Sequence, residues 1–336
     1  MSGSRSTEDG LIARYFAPLA GPGADGLSDD AATLTPSPGC DLVLTADAIV
    51  AGVHFFPDDP PASIARKALG VNCSDLAAKG ASPRGILLTL ALADDWTEAW
   101  LADFAAGLAG AIRDFGIPLL GGDTVRAAGP TSIGVTALGE VPAGTMVRRM
   151  TARIGDRICV SGTIGDAALG LLLRSGPMPA WGTALGAQGC DVLIDRYWHP
   201  QPRLALGPVL RRHARAAMDI SDGLAGDLAK MLKGTAPEGG GRSAAIALAD
   251  LPLSEAAARA LALAPDLLTT ILTGGDDYEI LCAVAPEHLA ACLFDANAVG
   301  VPMTVIGTVT AGAGAPVFRS ADGPIALPSA GSFSHF

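Results

Sequence analysis

Aspartates flanked by glycine, serine or threonine recur along this chain, at residues 28–32, 45–47, 121–124, 219–223 and 274–279. Asp30, Asp47, Asp123, Asp219, Asp222 and Asp276 each fall at the exit of an apolar run or the start of a turn. Taken singly, such an aspartate is an ordinary turn residue that bonds its own backbone. As a set they point further, because strand ends along one sheet edge converge and α/β proteins bind ligands there. Converging carboxylates repel, and burying them together is costly unless a cation neutralises them. Hard oxygen donors select Mg2+ or Ca2+ over zinc. The segment DISDG lacks the alternating ligand spacing of an EF-hand loop, and Mg2+ is favoured because water and substrate phosphates complete its shell.

A further carboxylate, Asp75, lies in the stretch 67–83, KALGVNCSDLAAKGASP. Ala65, Leu69, Cys73, Leu76 and Ala77 recur at helical spacing, Asn72, Asp75 and Lys79 share another face, and Gly80 and Pro83 are stop signals. Asp75 is therefore a lone carboxylate on a small-residue helix. It is either an exposed solubilising group or a ligand aimed at positive charge.

Lys and Arg number 23 against 34 Asp and Glu, a net charge of −11, and the isoelectric point is about 4.8. Such a chain has no basic surface for nucleic acid. No Walker A sequence occurs, so two polyanionic substrates would meet only through bridging metals. Gly121, Gly122, Gly274 and Gly275 would let backbone approach phosphate, since no Cβ intervenes. Arg148, Arg149 and Arg153 form the one basic cluster, a phosphate contact or a solvated linker. The nucleophile templates fail: there is no GxSxG, and the aspartyl-phosphate pattern DxDx[TV] breaks at Ile49. His54 alone in an apolar setting reads as a core histidine. What remains is direct phosphoryl transfer aided by metals, with positioning and charge neutralisation supplying most of the rate.

The elements that must position these residues alternate between strand and helix. Strands are expected at 41–46, 86–93, 117–120, 132–138, 157–161, 216–220, 278–284 and 304–309. Helices are expected at 11–20, from Lys67, at 97–115, 167–173, 204–213, 224–232 and 254–263, and from Pro286, while 176–189 reads as a Pro/Gly-rich loop and 235–242 as flexible. The formal GxGxxG at Gly21, Gly23 and Gly26 follows a helix and leads into an acidic loop, which is not the strand-to-helix setting of a dinucleotide fold. With 336 residues at 49% hydrophobic composition the chain buries a large core and favours two domains, divided in the turn-rich basic stretch 142–156. The fold class is α/β with α+β layers and a sheet in each domain.

The mean hydropathy of +0.38 raises the question of a membrane. The longest apolar run, 85–93, stops at Asp94 and Asp95, short of the roughly eighteen residues a spanning helix needs. No signal peptide is expected from MSGSRSTEDG, and six cysteines without a CxxC pair read as buried thiols in a reducing compartment. The expected location is the cytoplasm.

The ordered series SDDAATL, TADAIVAGVHF, KALGVNCSDLAAKGASP, LGGDTVR, RMTARIGDRICVSGTIGDAALGL, MDISDGLAGDL, GGDDYEIL and SFSHF resembles the thiamine-monophosphate kinase family, of the aminoimidazole ribonucleotide synthetase-like ATP-binding superfamily. Eight blocks in one order cover nearly the whole chain. The resemblance implies two α/β domains, with 1–148 as an ATP-, Mg2+-binding and dimerisation domain whose sheet carries helices on one face, and 149–336 completing the ATP and substrate sites. It implies ATP-dependent phosphorylation of thiamine monophosphate to thiamine diphosphate, with no phospho-enzyme. By it, Asp30, Thr45, Asp47, Asp75, Asp123, Asp219 and Asp222 would ligate several Mg2+ ions, with Asp75, Asp123 and Asp219 central to catalysis. Gly121, Gly122, Arg149 and Ser221 would contact ATP, and His54, Asp276 and Phe333 the thiamine phosphate. It also implies a homodimer whose N-terminal sheets pair into a barrel, and leaves room for a monovalent cation.

Three departures from the family pattern stand out: Ser28 for a glycine, Asp276 for a glutamate, and Ala46 for a polar residue. Two other readings are a sister enzyme, such as a purine-biosynthetic ligase, which would lack the GVHF and SHF blocks, and a nucleotide- or thiamine-phosphate-binding protein that has lost catalysis.

Overall fold

The computed structural model describes residues 7–234, 240–312 and 315–327. Its contacts divide the chain into two compact units, Met1–Leu76 with Ala81–Gly144, and Ala77–Gly80 with Thr145–Phe336.

The first unit opens with a short helix α1 (Glu8–Leu11), whose N-terminus is capped by the Thr7 hydroxyl, followed by a π-helical turn over Ile12–Phe16 and a 3-10 turn over Ala17–Leu19. The expected single helix over 11–20 is thus broken, with Pro18 in the last turn. Gly21 and Gly23 then pack the chain tightly: a Cβ at Gly21 would stand 2.3 Å from the Pro118 ring, and one at Gly23 would stand 2.2 Å from the Thr33 carbonyl. Gly21 and Gly23 lie in a turn and Gly26 in a 3-10 turn over Asp25–Leu27, so the GxGxxG residues open no α-helix, as their setting in the sequence implies.

Four strands follow, β1 (Cys40–Val50), β2 (Ser82–Leu92), β3 (Leu119–Arg126) and β4 (Ser132–Pro142), in the order β1-β4-β2-β3. β4 is antiparallel to β1 and β2, and β2 runs parallel to β3. The β2–β3 connection is α3 (Glu98–Phe115), capped by the Thr97 hydroxyl and ended by Gly116 in the left-handed region at φ 64°. Between β1 and β2 lies α2 (Pro61–Ala78), buried on almost every side because its residues are small. A Cβ at Gly107 of α3 would stand 2.3 Å from Ala62 of α2, so the two helices touch backbone to backbone there.

The second unit holds a seven-stranded mixed sheet, β11-β10-β7-β9-β5-β8-β6. Its strands are β5 (Arg157–Ser161), β6 (Ala214–Asp219), β7 (Arg242–Ala247), β8 (Ile280–Val284), β9 (Met303–Ala311), β10 (Val317–Ser320) and β11 (Gly323–Pro324). Side chains alternate between two cores, as the strand period requires. Ile158, Val160, Ala216, Met218, Leu281 and Ala283 face a core built with α4 (Asp166–Arg174), α5 (Ala180–Leu185), α6 (Ala187–Trp198), α8 (Leu224–Met231), α9 (Glu255–Leu263) and α10 (Leu267–Thr273). Cys159, Ala217, Ile280, Cys282 and Val284 face the other, built with α7 (Gly207–His213) and α11 (Leu289–Ala298). The helices on both faces explain why these strands read as unbroken apolar runs.

The structure corrects the loop expected over 176–189. That stretch forms α5 and the start of α6, and its glycines serve close packing: a Cβ on Gly182 would meet the Met178 sulfur at 2.7 Å, and one on Gly189 the Leu185 side chain at 2.5 Å. All six cysteines are free thiols and five are buried. Burial pushes the Cys73 thiol up to about 12. Among the described residues, no helix is long and apolar enough to cross a membrane.

Candidate active site

In the first unit, Thr45 and Asp75 meet. The β1 alternation turns Thr45, Asp47 and the buried Val43 and Ile49 toward α2, and Thr45 Oγ1 donates to Asp75 Oδ2. One turn earlier on α2, the buried Asn72 accepts the Asp47 backbone N–H at 3.0 Å and donates to the Ala68 carbonyl at 3.0 Å. Asp75 is thereby half-buried and partnered, which excludes the reading of it as a freely exposed solubilising group. His54 follows β1 in a turn. Its Nδ1 accepts the Val50 N–H at 3.0 Å, so the neutral ring carries its proton on Nε2, and its carbonyl accepts from the buried Lys67 ammonium at 3.0 Å.

Asp123 lies elsewhere. A bulge at Leu120 shifts the β2–β3 register, so that Ile86 pairs with Leu119 but Leu87 pairs with Gly121. Asp123 consequently pairs with Thr89, on the sheet face opposite the register row of the buried Leu88 and Val135 and the exposed Asp47. There it lines a cavity of about 740 Å³ with Asp29, Asp30, Gly121, Gly122 and Thr89. Asp30 and Asp123 thus line one cavity, while Thr45, Asp47 and Asp75 form a second group on the α2 face. Asp47 and Asp123 lie within strands and not at strand ends as expected, because β1 and β3 run longer than their apolar cores.

Gly122 differs from the expectation of an open phosphate cradle. A Cβ there would stand 1.9 Å from the Leu88 carbonyl oxygen, so close strand packing demands the glycine. Gly121 would meet nothing nearer than a Leu87 methyl at 3.4 Å and faces the cavity.

In the second unit, the segments 219–223 and 274–279 are laced together by backbone. Asp276 N–H donates to Ser221 O at 2.9 Å, Tyr278 N–H to Ile220 O at 2.8 Å, and Ile220 N–H to Glu279 O at 2.9 Å. Asp276 and Tyr278 sit in the left-handed region at φ 72° and 50°, an arrangement costly for non-glycine residues. A Cβ at Gly275 would stand 2.3 Å from Ser221 O, so Gly275 also serves packing and not a phosphate approach. Asp219 closes β6 almost buried, at 7% exposure. Asp222 is half-buried, and its carboxylate accepts from the Lys230 ammonium. Arg149 is exposed, on a segment fixed to β6 where Ala217 N–H donates to the Arg148 carbonyl at 3.1 Å.

Four charged residues here were not picked out in the sequence. Asp277 accepts the Gly165 N–H at 2.7 Å and the Ala167 N–H at 3.4 Å, which caps the N-terminus of α4. Burial pushes its carboxyl well above the usual range, opposed by the Gly165 bond. Glu279, fully buried, binds Arg196 at 2.8 Å, the Arg203 Nε at 2.7 Å and the Ser161 hydroxyl at 2.6 Å. Asp227 and Lys230 bracket Asp222, and burial raises the Asp227 carboxyl against the pull of Lys230. The signal was the run of three acids in GGDDYE, of which Asp277 and Glu279 alternate inward while Asp276 does not.

The acids thus fall into three groups, two in the first unit and one in the second, where one sheet edge was expected to gather them. Among the described residues, no three His, Cys, Asp or Glu side chains cluster as a metal-binding group. The donor chemistry still suits Mg2+, which keeps several waters and takes one or two carboxylates together with substrate phosphates. Phe333 and the SFSHF block lie outside the described residues.

Residues 28–141 match the AIR synthase related protein, N-terminal domain, and residues 153–318 the AIR synthase related protein, C-terminal domain. The thiamine-monophosphate kinase of Caulobacter vibrioides is 42% identical over 93% of this chain and 86% of its own length. The crystal structure of thiamine-monophosphate kinase from Stenotrophomonas maltophilia K279a superposes with a TM-score of 0.76 at 37% identity, over 89% of this chain and 91% of that one. The structure of AaThiL complexed with AMPPCP and TMP matches with a TM-score of 0.72 at 28% identity over all of both chains. This chain belongs to the thiamine-monophosphate kinase family of AIR synthase related proteins.

Proposed function

We propose that this chain transfers the γ-phosphoryl group of ATP directly to the phosphate of thiamine monophosphate, giving thiamine diphosphate and ADP. The observation that carries the reading is the match, over the full length of both chains, to a relative solved with AMPPCP and TMP. The site chemistry agrees with it. The described acids offer hard oxygens, and the half-buried His54 is tied by Nδ1 to the Val50 amide, leaving positioning and charge neutralisation to supply the rate.

Asp30 and Asp123 in one group, Thr45, Asp47 and Asp75 in another, and Asp219 and Asp222 in the second unit would hold Mg2+. The ion, when bound, neutralises the phosphate oxygens between which the phosphoryl group passes. The Thr45 hydroxyl fixes the direction in which Asp75 presents its second oxygen. Gly121, Gly122, Arg149 and Ser221 would border the nucleotide, with the Ser221 carbonyl held in place by Asp276 N–H. His54, Asp276 and Phe333 would border the thiamine phosphate.

We read the protein as a cytoplasmic homodimer joined through its N-terminal sheets. Leu42, Leu44, Leu87 and Val125 remain 37, 63, 41 and 43% exposed, and all four lie on the sheet face turned away from α2. β1, eleven residues long, is an edge strand of that sheet.

A coupled assay of ADP release tests the activity. ADP forms only when ATP, thiamine monophosphate and Mg2+ are all present, and release that is independent of thiamine monophosphate contradicts the assignment.

A further inference from the structure

Asp222, Asp227 and Lys230 close a ring. The Asp222 backbone N–H donates to Asp227 Oδ2 at 2.9 Å, Lys230 Nζ donates to Asp227 Oδ1 at 2.9 Å, and the same ammonium donates to Asp222 Oδ2. Asp227 is fully buried, in the first turn of α8, and Lys230 stands three residues on along the same helix face. A buried carboxylate is stabilised by a partner cation, and at 2.9 Å Asp227 anchors Lys230. The side chains of Lys230 and Asp222 are 30 and 35% exposed, so the Asp222 end of the ring opens to solvent while the Asp227 end does not.

One ammonium thus serves two carboxylates with unequal holds. Its flexible stem and three donors let it leave Asp222 while keeping Asp227. We propose that Lys230 is a built-in counter-cation for Asp222: it neutralises and orients that carboxylate, and yields it when metal arrives with nucleotide. The second unit then takes up metal together with the nucleotide and discriminates against divalent ions arriving alone. The inference rests on the reading of Asp222 as a metal-facing carboxylate. Lys230 acts through Asp222 and is a positioning residue.

The test is a titration of the purified full-length protein with Mn2+ alone, followed by electron paramagnetic resonance, beside a titration with Mn2+ and ATP. Lys230→Gln removes the charge but keeps a donor. It is expected to bind Mn2+ without nucleotide about tenfold more tightly than the unaltered protein, the scale on which one neighbouring charge shifts a carboxylate. Lys230→Arg keeps the charge and stays at the unaltered value. The double variant Asp227→Asn with Lys230→Gln leaves no unpaired buried carboxylate, so it reads the same effect if the single variant fails to fold. Adding Asp222→Asn to Lys230→Gln abolishes the gain. Nucleotide-free affinity that is unchanged or weaker in the folded neutral variants overturns the inference. If Asp222→Asn leaves affinity for Mn2+ with ATP unchanged, Asp222 is not metal-facing and both readings of it fall. If Asp222→Asn weakens that affinity while Lys230→Gln changes nothing, only the role of Lys230 falls.

Discussion

Thr45 on β1 donates its hydroxyl to Asp75 on α2, joining the edge strand of the N-terminal sheet to the helix that covers it. The bond engages one oxygen of Asp75 and so sets the direction of the other. Asp75→Asn keeps an acceptor for Thr45 but removes the charge. Turnover is expected to fall at least about a hundredfold, the cost of losing one preorganised electrostatic group, while the thermal unfolding midpoint stays within a few degrees. Steady-state kinetics beside a melting curve decide, and a wild-type rate in this variant rules out a role for Asp75 at the metal.

Two adjacent glycines on β3 should respond oppositely to alanine. At Gly122 the new methyl would stand 1.9 Å from the Leu88 carbonyl, and backbone cannot step aside. Gly122→Ala is therefore expected to lose about 2 kcal/mol or more of stability, at the upper end of overpacking costs. At Gly121 the nearest atom is a methyl at 3.4 Å, and Gly121→Ala should melt like the unaltered protein. Equal melting of the two variants contradicts the bulged register.

Glu279→Gln would leave Arg196 and Arg203 without their shared carboxylate inside the second unit. Breaking a buried pair from one side costs about 3 to 5 kcal/mol. Nε and Nη1 of Arg196 already lack a hydrogen-bond partner, so no spare acceptor softens the loss. A large drop in the thermal midpoint is the expected result. A midpoint unchanged from wild type would show that Glu279 is dispensable to the fold.

Glu140 on β4 gives a pH signature. The Arg84 guanidinium, with the Ser37 hydroxyl at 2.6 Å and the Ser37 N–H at 3.1 Å, holds its carboxyl down from the usual 4.5 to about 2. A carboxyl lowered on folding contributes stability above its unfolded value, and that contribution is lost as pH falls from about 4.5 toward about 2. Glu140→Gln should flatten the stability profile of the first unit in that window and leave its slope near neutrality unchanged. A parallel acid limb in both proteins would remove Glu140 from the account.

Much of this arrangement is legible in the sequence. The strands at 41–46 and 132–138 announce themselves by alternation, the helix 97–115 by its apolar spacing and its Thr97 cap, and the acids by their place beside strands. The bulge at Leu120 is not legible. One extra residue in β3 moves Asp123 to the face opposite Asp47, and nothing local to LLGGD records which partner strand imposes it. The helices within 176–189 are hidden for a related reason, since Gly182 and Gly189 look like breakers until Leu173 and Leu185 are seen to need the space. Asp277 and Glu279 could not be told from Asp276 as ligands, because their partners, the α4 amides and two arginines, lie some 75 to 115 residues away in the chain.

The central claim is direct transfer between two phosphates. In a single turnover with γ-labelled ATP, Mg2+ and thiamine monophosphate, the label is predicted to pass into thiamine diphosphate in step with ADP, with none retained on protein. Label appearing first on the protein, or leaving only as inorganic phosphate, would contradict it.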